Sequence, residues 1–193
     1  MTAKEQDHSE TKQLTVSVRV DRFDRIIAVS ENWNEIAAQG EALQSLDSKQ
    51  VVGNPLVNYI QGEATQMVIL ACLKLCRVRN QILSRNYRCD SPTHKRFMEL
   101  VLTPLPQKSV EMTHYLLKEE PLAYRMETED VTDTANQASF QYVRCSMCNA
   151  LRQIGTDQWQ DPASLSHQQN QAFKVIHGIC PVCKTKKWRT HSS

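Results

Sequence analysis

Two cysteine pairs constrain this chain more than any other feature. Cys145 and Cys148 stand three apart, and so do Cys180 and Cys183. Chance placement of the chain's seven cysteines would give roughly a quarter of one such pair, so two pairs call for a reason. Two intervening residues let both sulfurs of a pair turn toward one point while backbone N–H groups face it. Two such knuckles supply four thiolates, a tetrahedral set suited to Zn²⁺. Four thiolates also suit an iron–sulfur centre, and both remain open on spacing alone. Asn149 and Lys184, not histidines, follow the second cysteine of each pair, so covalent haem attachment is not expected. His177, three residues before Cys180, is the alternative ligand. Four thiolates close the shell and leave no position for water, which points to a structural metal and names no catalytic residue.

The compartment decides how cysteines are read. Met1 to Gln13 is polar and mixed in charge, without the apolar stretch of a secretory signal. The longest apolar run, Met67 to Leu73, is far short of the roughly 20 residues that span a bilayer. A cytoplasmic chain with no membrane contact is expected, and grouped cysteines there mean metal or redox chemistry rather than disulfides. The formal charge of +2 supplies no broad basic field for nucleic acid. Only five glycines are present, and no P-loop, kinase-like glycine-rich loop or nucleophile elbow occurs. The chain reads as a non-enzyme.

Patterning along the chain predicts an α+β fold. Leu14 to Val20 alternates apolar and polar, Asp21 to Arg25 reads as a turn, and Ile26 to Val29 as a second strand. Ser30 is the expected cap of a helix carrying Trp33, Ile36 and Ala37, ended by Gly40. Leu56 to Ile60 suggests a short helix, and Glu63 to Val78 a long one with Met67, Leu70, Leu73, Leu75 and Val78 apolar. Gln81–Cys89, Arg96–Thr103 and Val110–Leu117 read as strands. Strands and helices in blocks argue for an antiparallel sheet with helices on one face. Cys72 and Cys76, one helical turn apart, are expected to pack in the core, and Cys89 to pack under the sheet.

Composition suggests four segments. Residues 1–13 form a disordered leader and residues 14–118 the strand–helix–strand domain. Residues 119–138 carry six acidic side chains against Arg125 alone, the mark of an acidic linker. Residues 139–189 hold the paired cysteines, with Trp159 and Phe173 as packing residues and a hairpin or short helix between the knuckles. A unit of about 50 residues has a thin core, so metal binding is expected to supply on the order of 10 kcal/mol of its folding free energy.

Two resemblances add to this reading. Ile26 to Trp33, Val51-Val52-Gly53-Asn54, and Tyr87 to Pro92 with Arg96-Phe97-Met98 resemble bacterial PAS-fold sensor domains, in particular a subgroup with an RCDSP segment between sheet strands. Arg144 to Cys148, Trp159 and His177 to Cys183 resemble a cysteine-rich, zinc-ribbon-like segment that follows sensor domains in some bacterial signalling proteins. The PAS resemblance implies a five-stranded antiparallel sheet with helices around a small pocket. It also implies sensing of a ligand, light or redox state, or dimerisation. The cysteine of the flavin photosensor type and the helix histidine of the haem type are absent at Gly53 to Leu56 and at residues 63–79. Arg88 and Asp90 of the RCDSP segment are placed to pair.

The expected function is therefore a signalling sensor or adaptor with structural zinc. Its output would pass through contact with a protein such as a kinase or regulator, with a homodimer as a further expectation. A second expectation is nucleic-acid binding through the cysteine module and the basic tail Lys184 to Arg189, where Trp188 would stack on a base. A third is a thiol redox sensor that releases zinc on oxidation.

Overall fold

A computed structural model of the chain describes residues 13–39, 46–123, 125–131, 141–165 and 172–191. The expected leader (residues 1–13, save Gln13), the stop at Gly40 and residues 132–138 of the expected linker lie outside these residues.

The first strand, β1 (Gln13–Val20), turns back into β2 (Ile26–Val29). Asp21 makes the turn: its Oδ1 accepts from the backbone N–H of Phe23 at 2.8 Å and of Arg25 at 2.9 Å. Helix α1 (Trp33–Gln39) follows, then a short α2 (Ser48–Val51) and a 3₁₀ turn (Leu56–Tyr59). Ser30 does not serve as the expected cap. Its hydroxyl instead accepts from Ser17 N–H on β1 at 3.2 Å, tying the chain back to the sheet. Helix α3 (Glu63–Arg79) is the long helix expected from its unbroken apolar spacing. It starts at Gly62, where φ is +81° and a Cβ would lie 2.6 Å from the Cβ of His177, so only glycine fits. It ends at Asn80 in the left-handed region.

Three long strands come next: β3 (Ile82–Arg88), β4 (His94–Pro104) and β5 (Val110–Pro121). The first sheet has the order β11-β3-β4-β5-β1-β2, and every neighbouring pair is antiparallel. Its sixth strand, β11 (Arg189–His191), begins at the last residue of the basic tail and pairs along β3 with Thr190 opposite Leu83. The second sheet runs β6 (Thr128–Asp130), β10 (Phe173–Gly178), β7 (Tyr142–Cys145), β8 (Leu151–Gln153), β9 (Trp159–Gln160). It is mixed, because β10 runs parallel to both β6 and β7. Two short helices complete the chain, α4 (Pro162–Leu165) and α5 (Pro181–Thr185). The class is thus α+β. The stretch expected as an acidic linker supplies the end of β5 and the whole of β6.

One apolar cluster serves both sheets. Val18, Val20, Leu73, Leu83, Leu102 and Val110 of the first half join Cys145, Met147, Ile179, Cys180 and Cys183 of the second. Buried residues from both sides of position 139 thus belong to one cluster. A smaller cluster of Met126, Tyr142, Leu151, Phe173 and Val175 lies within the second sheet. Helix α3 touches β3, β4 and β5 on one side and β10 on the other. Two of its apolar positions, Met67 and Val78, are 71 % and 76 % exposed. The buried face is Thr65, Ile69, Cys72, Leu73 and Cys76, a narrower stripe than the apolar residues alone suggest.

Candidate metal centre

The two knuckles meet. Cys145 ends β7, and the turn after it carries Cys148; Cys180 caps α5, and Cys183 lies inside it. The parallel pairing of β7 and β10 causes this meeting, since Gly178 lies opposite Cys145 and both strands deliver their following loops to one end of the sheet. All four Sγ atoms lie within 4.8 Å of one another. Cys145, Cys180 and Cys183 are buried and Cys148 half-buried. Cys148 Sγ and Cys180 Sγ are 3.8 Å apart, far beyond the roughly 2.05 Å of a disulfide. Two thiolates at about 2.3 Å from one tetrahedral ion stand about 3.8 Å apart. The four cysteines fit a single metal ion.

Backbone donors favour negative charge here. Cys180 N–H donates to Cys145 Sγ at 3.3 Å, and Cys183 N–H to Cys180 Sγ at 3.4 Å. Hydrogen bonding from the Cys148 thiol, then from backbone N–H groups including that of Cys180, pushes the Cys145 thiol down to about 4. Sharing that proton pushes Cys148 upward, and burial lifts Cys183 to about 11. This is the pattern of thiols crowded around one point, in which one ionises and its neighbours hold their protons.

The centre is fastened to the first sheet. Arg88 N–H at the end of β3 donates to Met147 O at 2.9 Å, inside the first knuckle. Arg85 of β3, itself buried, donates through Nη2 to Cys183 O at 2.6 Å, inside the second. The Trp188 ring packs beside that guanidinium, 5.9 Å from centroid to Cζ. Arg189 then binds the buried Glu99 carboxylate of β4 at 2.6 Å and also reaches Asn86. Ser84 on β3 hydrogen-bonds His191 at 2.7 Å. Of the tail side chains expected at a nucleic acid, Trp188 is half-buried and Arg189 is paired with Glu99, while Lys184, Lys186 and Lys187 are exposed.

His177 is not part of the sulfur cluster. Its Nε2 meets Asp130 Oδ1 at 2.8 Å, and its Nδ1 faces Ser146 Oγ at 3.4 Å. Hydrogen bonding to His177 lowers the Asp130 carboxyl, even against its own burial. Thr65 on α3 donates to Ser146 Oγ at 2.7 Å, so a chain of four polar side chains links β6, β10, the first knuckle and α3. Sequence reading missed this chain because its hydrogen-bonded neighbours are 31 to 81 residues apart and meet only in space. It holds the residue types of a hydrolytic triad, but Ser146 lines neither of the two concavities described below.

The remaining cysteines behave differently from one another. Cys72 and Cys76 are buried as expected, and Cys76 Sγ lies 3.6 Å from Leu102 O. Burial lifts both thiols to about 11. Cys89, expected under the sheet, is exposed, because it lies just beyond the end of β3, where its chain leaves the core. The expected Arg88–Asp90 pair is present, and Arg88 extends it to Asp161 at 2.8 Å.

Two concavities border the fold. One, about 250 Å³, lies between Asp90 and Ser91 of the RCDSP segment and Glu127, Thr128 and Arg144 of the second sheet. The other, about 470 Å³, lies along the exposed side of α3. Among the described residues, no helix is long and apolar enough to cross a membrane. No protein-family profile matches the chain, and comparison with curated proteins and with solved structures returned no significant similarity.

Proposed function

We propose that the chain is a non-enzymatic signalling adaptor built on a PAS-like sheet and held together by a structural zinc ion. The single observation that carries the zinc reading is the four-sulfur cluster with its 3.8 Å contact. A multi-iron cluster spreads its thiolates over several iron atoms, so four sulfurs within 4.8 Å favour one ion. When bound, zinc supplies a fixed double positive charge that holds four thiolates together. Cys145, Cys148, Cys180 and Cys183 hold it, while Arg85 and the Arg88 backbone carry its position into the first sheet.

The PAS-like reading draws support from five antiparallel strands, β1 to β5, with the helices inserted between β2 and β3. The interior between α3 and this sheet is filled by Leu73, Leu83, Leu102 and Val110, each with no exposure, and both concavities lie outside it. That filling favours output by protein contact, to a kinase, a regulator or a second copy, over capture of a small ligand inside the sheet. Elemental analysis with absorbance spectroscopy tests the metal: one zinc per chain and no visible band are expected, and iron would overturn the reading. A strictly monomeric protein that captures no partner would count against the adaptor role.

A further inference from the structure

The groove along α3 has a composition of its own. Its floor is aliphatic, made of Leu70, Ala71 and Val78, and its rim is cationic, made of Arg22, Lys74 and Lys108. Among the described residues, Lys74 and Lys108 make no side-chain ion pair, and Arg22 only lies over the Phe23 ring at 4.5 Å. The one carboxylate in the groove, Asp24, is already neutralised by Arg77 at 2.6 Å. Arg77 is otherwise committed to the backbone, donating to Lys108 O at 2.9 Å and Asp21 O at 2.8 Å. The groove therefore carries three positive charges that no carboxylate of the described residues pairs with. Three of the chain's exposed large apolar side chains belong to the same surface: Val78 in the groove, Phe23 beside Arg22, and Met67 one turn before Ala71 on α3.

Resting on the adaptor reading, we infer that this groove is the docking surface for an acidic amphipathic segment of a partner protein. Such a segment lays apolar side chains on Leu70, Ala71 and Val78 and carboxylates against Arg22, Lys74 and Lys108. A second copy of the chain fits poorly, because a twofold contact would set each cationic rim against itself. A small anion fits poorly too: the rim cations are spread along the opening, and the buried unpaired donors of the described residues, on Arg85, Arg96 and Asn149, lie elsewhere. Nucleic acid lacks a free aromatic face here, since the Phe23 ring already carries Arg22.

The test uses the full zinc-bound chain and a fluorescein-labelled helical peptide of about four turns, with leucine along one face and glutamate along the rest. Anisotropy is expected to show saturable binding that weakens with salt. The pair Lys74→Glu and Lys108→Glu, both at exposed positions, is expected to weaken binding about tenfold or more, and Val78→Ser to weaken it with an unchanged salt dependence. Circular dichroism and zinc content of each variant confirm that it is folded. No binding, binding indifferent to the charge reversal, equal binding of a lysine-faced peptide, or preference for an oligothymidylate would each overturn the groove assignment. Self-association that the same reversal strengthens would overturn it in favour of a second copy. The adaptor reading fails separately, by the mass and partner-capture measurements given above.

Discussion

Two regions of one core treat the same side chain in opposite ways. On α3, Cys72 and Cys76 face apolar neighbours, and burial lifts both thiols to about 11. At the knuckles the thiols divide: a hydrogen bond from the Cys148 thiol, joined by backbone donors, pushes Cys145 down to about 4, while Cys148 is pushed up and Cys183 lifted to about 11. Cys145, Cys180 and Cys183 are no more exposed than the helix pair, so burial alone does not separate them. What differs is the company: Cys145 has a second thiol as hydrogen-bond donor and backbone N–H groups beside it. A helix keeps its N–H groups for itself, whereas a knuckle turns them toward sulfur.

The largest effect expected from that contrast is at the knuckles. Cys145→Ser or Cys180→Ser should reduce bound zinc to near zero. Sequence alone suggests that such a loss unfolds residues 140–189 and spares the rest. The shared cluster argues for a single thermal transition that moves as one, because Cys145, Cys180 and Cys183 pack against the same core as Leu73 and Leu83. Metal-binding free energy on the order of 10 kcal/mol is at stake, comparable with a whole domain's stability. Two separated transitions in calorimetry would break the picture of one core.

Alkylation sharpens the contrast further. In the zinc-bound protein only Cys89 should react promptly, being exposed. After chelation the other six should become reactive together. A stepwise pattern, four and then two, would mean that α3 keeps its packing without metal. At a smaller scale, Cys76→Ala should leave zinc content unchanged and cost about 1 kcal/mol in urea unfolding, the price of a small cavity. Zinc loss in that variant would erase the distinction between the two groups.

The desolvated region also makes a pH prediction. His114 on β5 accepts from or donates to Tyr87 across 2.7 Å, and burial pushes its imidazole down to about 4. The folded state then binds a proton less readily than the unfolded state, whose histidine titrates near 6.5. Stability should be unaffected by His114 above about pH 6.5 and fall by on the order of 1 kcal/mol per unit below it, until about pH 4. Unfolding of His114→Gln should show a shallower acid slope over that window. An identical slope would remove the assignment.

Much of this was legible in the residues, for local reasons. The hairpin at Asp21, the long helix after Gly62 and the three strands between residues 82 and 121 follow from alternation, helical spacing and turn residues. The grouping of Cys145, Cys148, Cys180 and Cys183 follows from their spacing. Other features were not local. Nothing in Arg189-Thr190-His191 says that it pairs with β3, and Glu99 gives no sign that its buried carboxylate awaits Arg189. Met67 and Val78 misled because apolar spacing on α3 is wider than the face the sheet covers. Acidic composition concealed β6, whose pairing comes from β10, more than 40 residues later.

The tail strand also sets an order of events during synthesis. The outer edge of β3 has no partner until residues 189–191 have left the ribosome, and the second knuckle emerges only just before them. Until then the nascent chain presents an open strand edge and two unpaired sulfurs, the form most prone to joining another chain. Metal capture and edge closure then fall within a dozen residues of each other, so the second knuckle and the edge of β3 are completed together.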